Sequence, residues 1–347
     1  MQQALALELP APAPAASRIA FIDTAKAVGI VLVVAGHVPE APPLIVTLIY
    51  SFHMPLFFFI SGYLLTPQRV AAHWGVLLRR GLRSLMVPYL FFFLLSFAYW
   101  MATRNLGARA QKFAGVDAAD AWYGLFTGLS QDLFVNPTLW FFPCLFLCQL
   151  IYAAARRRLS DAAALAAFTG LAVLLLWAAP WNSRLPWGLG IVWIALPFYA
   201  AGHCLRWRGW AGGALGPWAS QLWALPWLLL ALFQGREDLA RASFGPVPLL
   251  YLPCALAGIA CLVQAARLIT PGPALRWLAD NSLVIFPLHP LLINFFSGLA
   301  QMVVGRELME RNALAWWLVA VLCGLLACVP AAALLRRYVP GLLGLRT

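Results

Sequence analysis

The residues of this chain best able to do chemistry sit in two apolar segments near its start. The first, near 19–37, holds Asp23, Lys26 and His37. The second reads Ser51-Phe-His-Met-Pro-Leu-Phe-Phe-Phe-Ile-Ser-Gly-Tyr63 and holds His53. An ionisable side chain at bilayer depth costs roughly 2.5–3.5 kcal/mol even on the lenient insertion scale, so a chain that keeps several there usually uses them. His37 is suited to general-base work, because a neutral imidazole of ordinary pKa ~6.5 takes a proton from a hydroxyl near neutral pH. Lys26 precedes it by eleven residues, which at ~3.6 residues per turn and ~1.5 Å rise puts both on one helix face, ~16 Å apart. Asp23, three residues before Lys26, shares that face and can hold the ammonium in position. His37 follows Gly36 and precedes Pro39, where a helix ends and the backbone can approach a substrate closely. The competing reading of a lone membrane histidine is a hydrogen-bonded packing residue; its alignment with Lys26 and the second histidine favours chemistry.

In the second segment Pro55 frees a backbone carbonyl and Gly62 permits close helix contact, so this helix is shaped to line a cavity. His53 then either contacts substrate, orients His37, or makes a purely structural hydrogen bond. Ser61 and Tyr63 offer hydroxyls for an oxyanion or for positioning a substrate. Arg79, Arg80 and Arg83 form a cationic cluster that fits a phosphate-bearing ligand, or simply charge that sets topology. Cys144 and Cys148 are four residues apart, but that helix carries no His or acid, and no metal is expected.

The elements that must hold these residues are membrane helices. With 347 residues, 63% hydrophobic and 10% charged, and a mean hydropathy of +0.81, the chain has too little polar surface for a soluble globule, whose charged fraction is ~25%. Windows able to cross a ~30 Å hydrocarbon core lie near 19–37, 44–65, 84–101, 138–154, 162–179, 187–205, 218–234, 247–268, 283–304 and 313–335. The expected fold is therefore all-α and polytopic: about ten transmembrane helices with both termini cytoplasmic, a disordered tail at 1–17 and a single membrane domain at 18–347. The net charge of +12 falls wholly on the segments this topology puts inside, as the positive-inside rule requires. Charge thus reports orientation, and nucleic acid is set aside as a partner. The longest hydrophilic stretch, ~102–137, holds Trp122, Tyr123, Phe126 and Leu129 and reads either as a short interfacial helix or as a plain loop.

Here the residues carry a resemblance. Arg18-Ile-Ala-Phe-Ile-Asp23-Thr-Ala-Lys26 leads to Val-Val-Ala-Gly-His37, followed by the Phe-His-Met-Pro-Leu-Phe-Phe-Phe-Ile-Ser-Gly-Tyr element. Together they resemble the opening of the acyltransferase-3 family of integral membrane O-acyltransferases, with the fucose 4-O-acetylase-like branch closest in wording. Leu78-Arg-Arg-Gly-Leu-Arg-Ser-Leu-Met-Val-Pro-Tyr89, Leu139-Trp-Phe-Phe-Pro143 and Leu278-Ala-Asp-Asn-Ser-Leu-Val-Ile-Phe-Pro-Leu-His289 extend the likeness over nearly the whole chain. Lys26 and His37 match the family's basic-x10-His pair. Two departures stand out. The cation is lysine where many members have arginine, which removes bidentate phosphate contact. Phe286-Pro287 stands where a tyrosine commonly precedes Leu-His, which leaves His289 outside the expected site.

The resemblance implies a multi-pass enzyme of the bacterial inner membrane that takes acetyl groups from acetyl-CoA, a co-substrate and not a bound cofactor. It passes them to a hydroxyl of a sugar, glycan or lipid-linked envelope precursor. In the arrangement on which residues and resemblance converge, Arg79, Arg80 and Arg83 dock the nucleotide with Lys26 nearby, and Asp23 orients Lys26. His37 acts as base beside His53, and Ser61 or Tyr63 assists the oxyanion. Direct transfer and transient acylation of His37 both fit. Two other classes remain: a multipass exporter using Lys26, His37 and His53 as a substrate or proton path, and a non-catalytic membrane subunit.

Overall fold

Prolines set the helix boundaries that matter most. The computed structural model describes residues 19–178, 184–207 and 219–344; the tail at 1–17 lies outside them. Among the described residues no strand forms, the pairing there being an isolated bridge between Asp238 and Ser243, so the chain is all-α. Helix α1 spans Ala20–His37 and ends where Pro39 holds Val38 in an extended conformation (ψ 126°). Helix α2, Pro43–Tyr50, starts on a proline, which is tolerated in a first turn because its missing N–H has no helical partner there. Helix α3, His53–Tyr63, continues the same span after a break at Ser51–Phe52, with Pro55 in its first turn. The break is pinned from outside: Trp227 Nε1 donates to Ser51 Oγ at 2.9 Å, and Ser51 Oγ donates to Leu48 O at 2.8 Å.

Helices α4 (Trp74–Gly81) and α5 (Val87–Thr103) are joined by a π-helical turn at Leu82–Met86, where the Val87 N–H reaches back five residues to Leu82 O. Pro88 explains the widening, since it cannot donate to the carbonyl of Ser84. There follow α6 (Phe141–Arg156), α7 (Asp161–Trp177), α8 (Leu189–Trp207), α9 (Ala219–Gln234), α10 (Tyr251–Arg267), α11 (Pro273–Val303) and α12 (Ala313–Tyr338). Eight spans among the described residues are long and apolar enough to cross a membrane; the windows expected near 162–179 and 218–234 are the shorter apolar helices α7 and α9. The stretch before α6 contains a helix at Ala118–Thr127, opened by a reciprocal cap between Asp117 and Asp120, with Trp122 against Phe93 and Phe97.

Helix α1 is the hub, packed against α3, α10, α11 and α12. In lipid the burial of apolar surface gives little drive to helix association, so close packing of small residues has to supply it. The buried face of α1 is accordingly rich in Ala25, Ala27, Gly29, Ala35 and Gly36. The tightest pair is α3 with α8. A Cβ on Gly62 would overlap the Tyr199 backbone, and one on Gly202 would overlap that of Phe59, so only glycine allows these two helices to touch.

Candidate active site

The end of α1, the start of α3 and the middle of α11 bring three imidazoles together. The His37 ring lies 5.0 Å from His289 and 6.4 Å from His53, both edge to face. Tyr50 sits 4.8 Å from His53 and 5.8 Å from His37. Each histidine uses the same anchor: Nδ1 of His37 bonds Val33 O at 2.7 Å, that of His53 bonds Ile49 O at 2.9 Å, and that of His289 bonds Ile285 O at 3.2 Å. A carbonyl only accepts, so Nδ1 carries the proton in all three and each neutral ring keeps a bare Nε2. His53 and His289 are buried, His289 completely, and its Nε2 has no hydrogen-bond partner. His37 alone of the three is partly exposed, toward a cavity of about 160 Å³ that Tyr50, His53, Thr138, Arg236 and Asp238 also line.

His289 sits between two prolines in the interior of α11, Pro287 and Pro290, which leave Leu283 O and Phe286 O without their usual helical donors. A carbonyl left bare at membrane depth would cost several kcal/mol; Thr138 Oγ, from the segment before α6, donates to Phe286 O at 3.4 Å, and Asn136 bonds the neighbouring carbonyl. Asn136 is fully buried, and its amide donates to Pro287 O at 2.8 Å and to Ser96 Oγ at 3.0 Å while Oδ1 accepts from Thr138 at 2.7 Å. Its donor and acceptor capacity is thus used to hold the helix that carries His289.

The loop between α9 and α10 closes the cavity. Gln234 holds it, donating to Phe244 O at 2.9 Å and Val247 O at 2.8 Å. Arg236 lies 4.9 Å over the Tyr50 ring, and Asp238 faces Arg241 at 3.8 Å. Burial pushes the Glu237 carboxyl up to about 7, and burial also raises Asp238, opposed chiefly by Arg241.

At the opposite end of the bundle Arg79, Arg80 and Arg83 line a cleft of about 450 Å³ with Val76, Ser84 and Gly344. A second cavity, about 250 Å³, shares Val76, Arg80 and Ser84 with it and reaches Ser61 and Tyr199. Between this space and the histidines stand Phe57, Phe141 and Phe286, with ring centroids 5.2 to 6.4 Å apart; Phe286 is in turn 6.3 Å from His289.

Of the residues singled out in the sequence, His37 and His53 meet, and Arg79, Arg80 and Arg83 share one cleft. Lys26 is not among the residues lining that cleft. Asp23, in the first turn of α1, is ~21 Å from His37 along the axis and cannot touch groups reacting there. Ser61 bonds Phe57 O at 2.7 Å and lies ~12 Å along α3 from His53. Tyr63 packs on Phe21 at 5.7 Å and under Arg206 at 5.6 Å. Neither hydroxyl lies at the histidines, because the helix rise carries both toward the arginine end. Sequence reasoning set His289 aside and missed Tyr50, Asn136 and Arg236. A Pro-x-x-Pro pair around a histidine and the Asn136-Pro137 turn were the available signals. Among the described residues no group of three or more His, Cys, Asp or Glu is arranged to hold a metal.

A family model described as an acyltransferase domain, of the acyltransferase-3 type, matches residues 19–336. No curated protein and no solved structure matches the chain.

Proposed function

Because the chain belongs to the acyltransferase-3 family of membrane acyltransferases, we propose that it transfers an acetyl group from acetyl-CoA to a hydroxyl of a sugar, glycan or lipid-linked envelope precursor in a bacterial inner membrane. The observation that carries this reading is His37 itself, partly exposed at a cavity with Nδ1 committed to Val33 O and Nε2 left to accept a proton. His37 takes the acceptor's hydroxyl proton as the oxygen attacks the thioester carbonyl carbon. The tetrahedral oxyanion collapses, the carbon–sulfur bond breaks, and the departing thiolate recovers the proton from His37. Products are the O-acyl ester and free CoA.

The donor enters from the arginine end, taken as cytoplasmic because the cationic surplus lies there. Arg79, Arg80 and Arg83 hold its phosphates by charge-assisted hydrogen bonds, and the pantetheine arm runs past Ser61 toward the phenylalanine partition. Lys26, steadied by Asp23, supplies a further cation on α1. With Ser61 and Tyr63 remote, the oxyanion falls to groups lining the histidine cavity, Arg236 and the Tyr50 hydroxyl, while His53 orients His37.

The test is release of free CoA from acetyl-CoA by the detergent-solubilised protein, with an envelope saccharide extract as acceptor, comparing wild type with His37→Ala. Extract-dependent release that disappears in a folded His37→Ala variant supports the reading. No release, and no rise in melting temperature with acetyl-CoA, overturns it.

A further inference from the structure

A third cavity, of about 530 Å³, lies beyond the histidines at the same end of the bundle, within the ~300–1,000 Å³ range of small-molecule sites. It begins at Pro39 and Glu40, the second and third residues after His37, and its far wall is a stripe of α11, the helix that carries His289. That stripe, Asn294, Ser297, Gly298 and Gln301, falls at i, i+3, i+4 and i+7, one helix face. Polar side chains repeated on one face of a membrane-spanning helix are costly unless they face a polar space. Gly298 confirms the direction of the face, since a Cβ there would meet nothing within 4 Å.

Three polar atoms at this cavity are out of solvent with no hydrogen-bond partner among the described residues: Glu40 Oε2, Arg109 Nε and Ser297 Oγ. Ser297 is itself only 8% exposed. Such atoms each cost about 1–3 kcal/mol unless something satisfies them. The Arg109 guanidinium is held in place between the rings of Tyr99 and Phe113, 5.1 Å from each. The lining therefore mixes two carboxylates that only accept, Glu40 and Glu310, three cations that only donate, Arg109, Lys112 and Arg306, and a hydroxyl and two amides that do both.

We propose that this cavity is the acceptor subsite and that it binds a saccharide, whose hydroxyls are both donors and acceptors and match that mixture. Glu310 is already paired with Arg306 at 2.7 Å, Glu40 offsets part of the charge of Arg109 and Lys112, and an acyl chain would leave the polar stripe unsatisfied. The proposal rests on the acyltransferase reading above and adds where the acceptor lies before its hydroxyl reaches His37.

The experiment measures acetyl transfer from labelled acetyl-CoA by the full-length protein to two named probes, the aqueous and the lipid-linked saccharide fractions of an envelope extract. Variants are Glu40→Gln, Gly298→Leu and Gln301→Leu. Glu40→Gln and Gly298→Leu each raise the acceptor KM about tenfold or more with kcat within about threefold of wild type, and the CoA-induced rise in melting temperature is kept throughout. The fraction that wild type acylates tells a free from a lipid-linked saccharide. Should Gly298→Leu lose its unfolding transition, Gln301→Leu carries the same expectation at an exposed position. An acceptor KM unchanged in the folded variants, or a kcat that falls at constant KM, overturns the subsite while leaving the acyltransferase reading intact. Absence of transfer to either fraction by wild type overturns the sugar acceptor and the subsite together, and retained CoA release or CoA-induced stabilisation then separates this from failure of the donor reading.

Discussion

The imidazoles of His37 and His289 stand edge to face with centroids 5.0 Å apart, although one ends the first helix and the other sits on the eleventh. His289 donates through Nδ1 to Ile285 O, and its Nε2 is buried without a partner, so it confronts His37 as a lone-pair neighbour. Under the proposed mechanism, a His37 that has taken the acceptor's proton has this ring as its nearest imidazole neighbour. His289→Ala is expected to lower kcat about 100-fold, in the range of a lost proton-transfer partner, with the acetyl-CoA KM unchanged. Steady-state kinetics decide it, and an unaltered kcat would make His289 a spectator.

Asn136 holds Pro287 O, Ser96 Oγ and Thr138 from one buried amide. Asn136→Ala strands buried groups at about 1–3 kcal/mol each, so the melting temperature should fall by several degrees and kcat should drop with it as His289 shifts. A variant that melts like wild type would show that this part of α11 does not depend on these bonds.

The aromatic partition of Phe57, Phe141 and Phe286 keeps the histidine cavity apart from the space reached by the arginine cleft. Phe57→Leu thins it at modest packing cost. Its expected signature is a several-fold rise in CoA release without acceptor, because water gains access to the thioester. Unchanged background hydrolysis would mean that the rings do not lie on the donor's path.

Arg80 lines both the cleft and the cavity that continues from it. Hydrogen bonds to charged groups are worth about 1.5–3 kcal/mol, so Arg80→Ala should raise the acetyl-CoA KM roughly 10- to 100-fold and leave the acceptor KM alone. Binding of CoA followed by isothermal calorimetry checks it; equal affinity in the variant would return the arginines to a topological role.

Glu237 is buried with its pKa raised to about 7, burial being the main cause. An unfolded chain loses this proton near ~4.3, so between roughly pH 4.5 and 7 the folded state holds the extra proton and stability falls as pH rises, levelling off above 7. Glu237→Gln should flatten the melting temperature over that window. A slope that survives the substitution assigns the pH response elsewhere.

The broad architecture was legible because each device that builds it is local. Apolar windows gave the helices, and Pro39 ended α1 where the sequence put its end. The meeting of His37 with His53 followed from a break between α2 and α3 and from helix phase. His289 could not be read that way: its surroundings depend on two prolines inside α11 and on Asn136 and Thr138, from another part of the chain, bonding Pro287 O and Phe286 O. Ser61 and Tyr63 follow His53 closely in sequence, but ~1.5 Å of rise per residue carries them to the other end of α3.

The contact of α3 with α8 through Gly62 and Gly202 has a mechanical meaning. Two helices whose backbones touch along one seam behave as a single stiff beam, and His53 is mounted on it. The bundle thus has a fixed frame bearing one of its histidines, and under the proposed reading the admission of donor and acceptor falls to elements other than this pair.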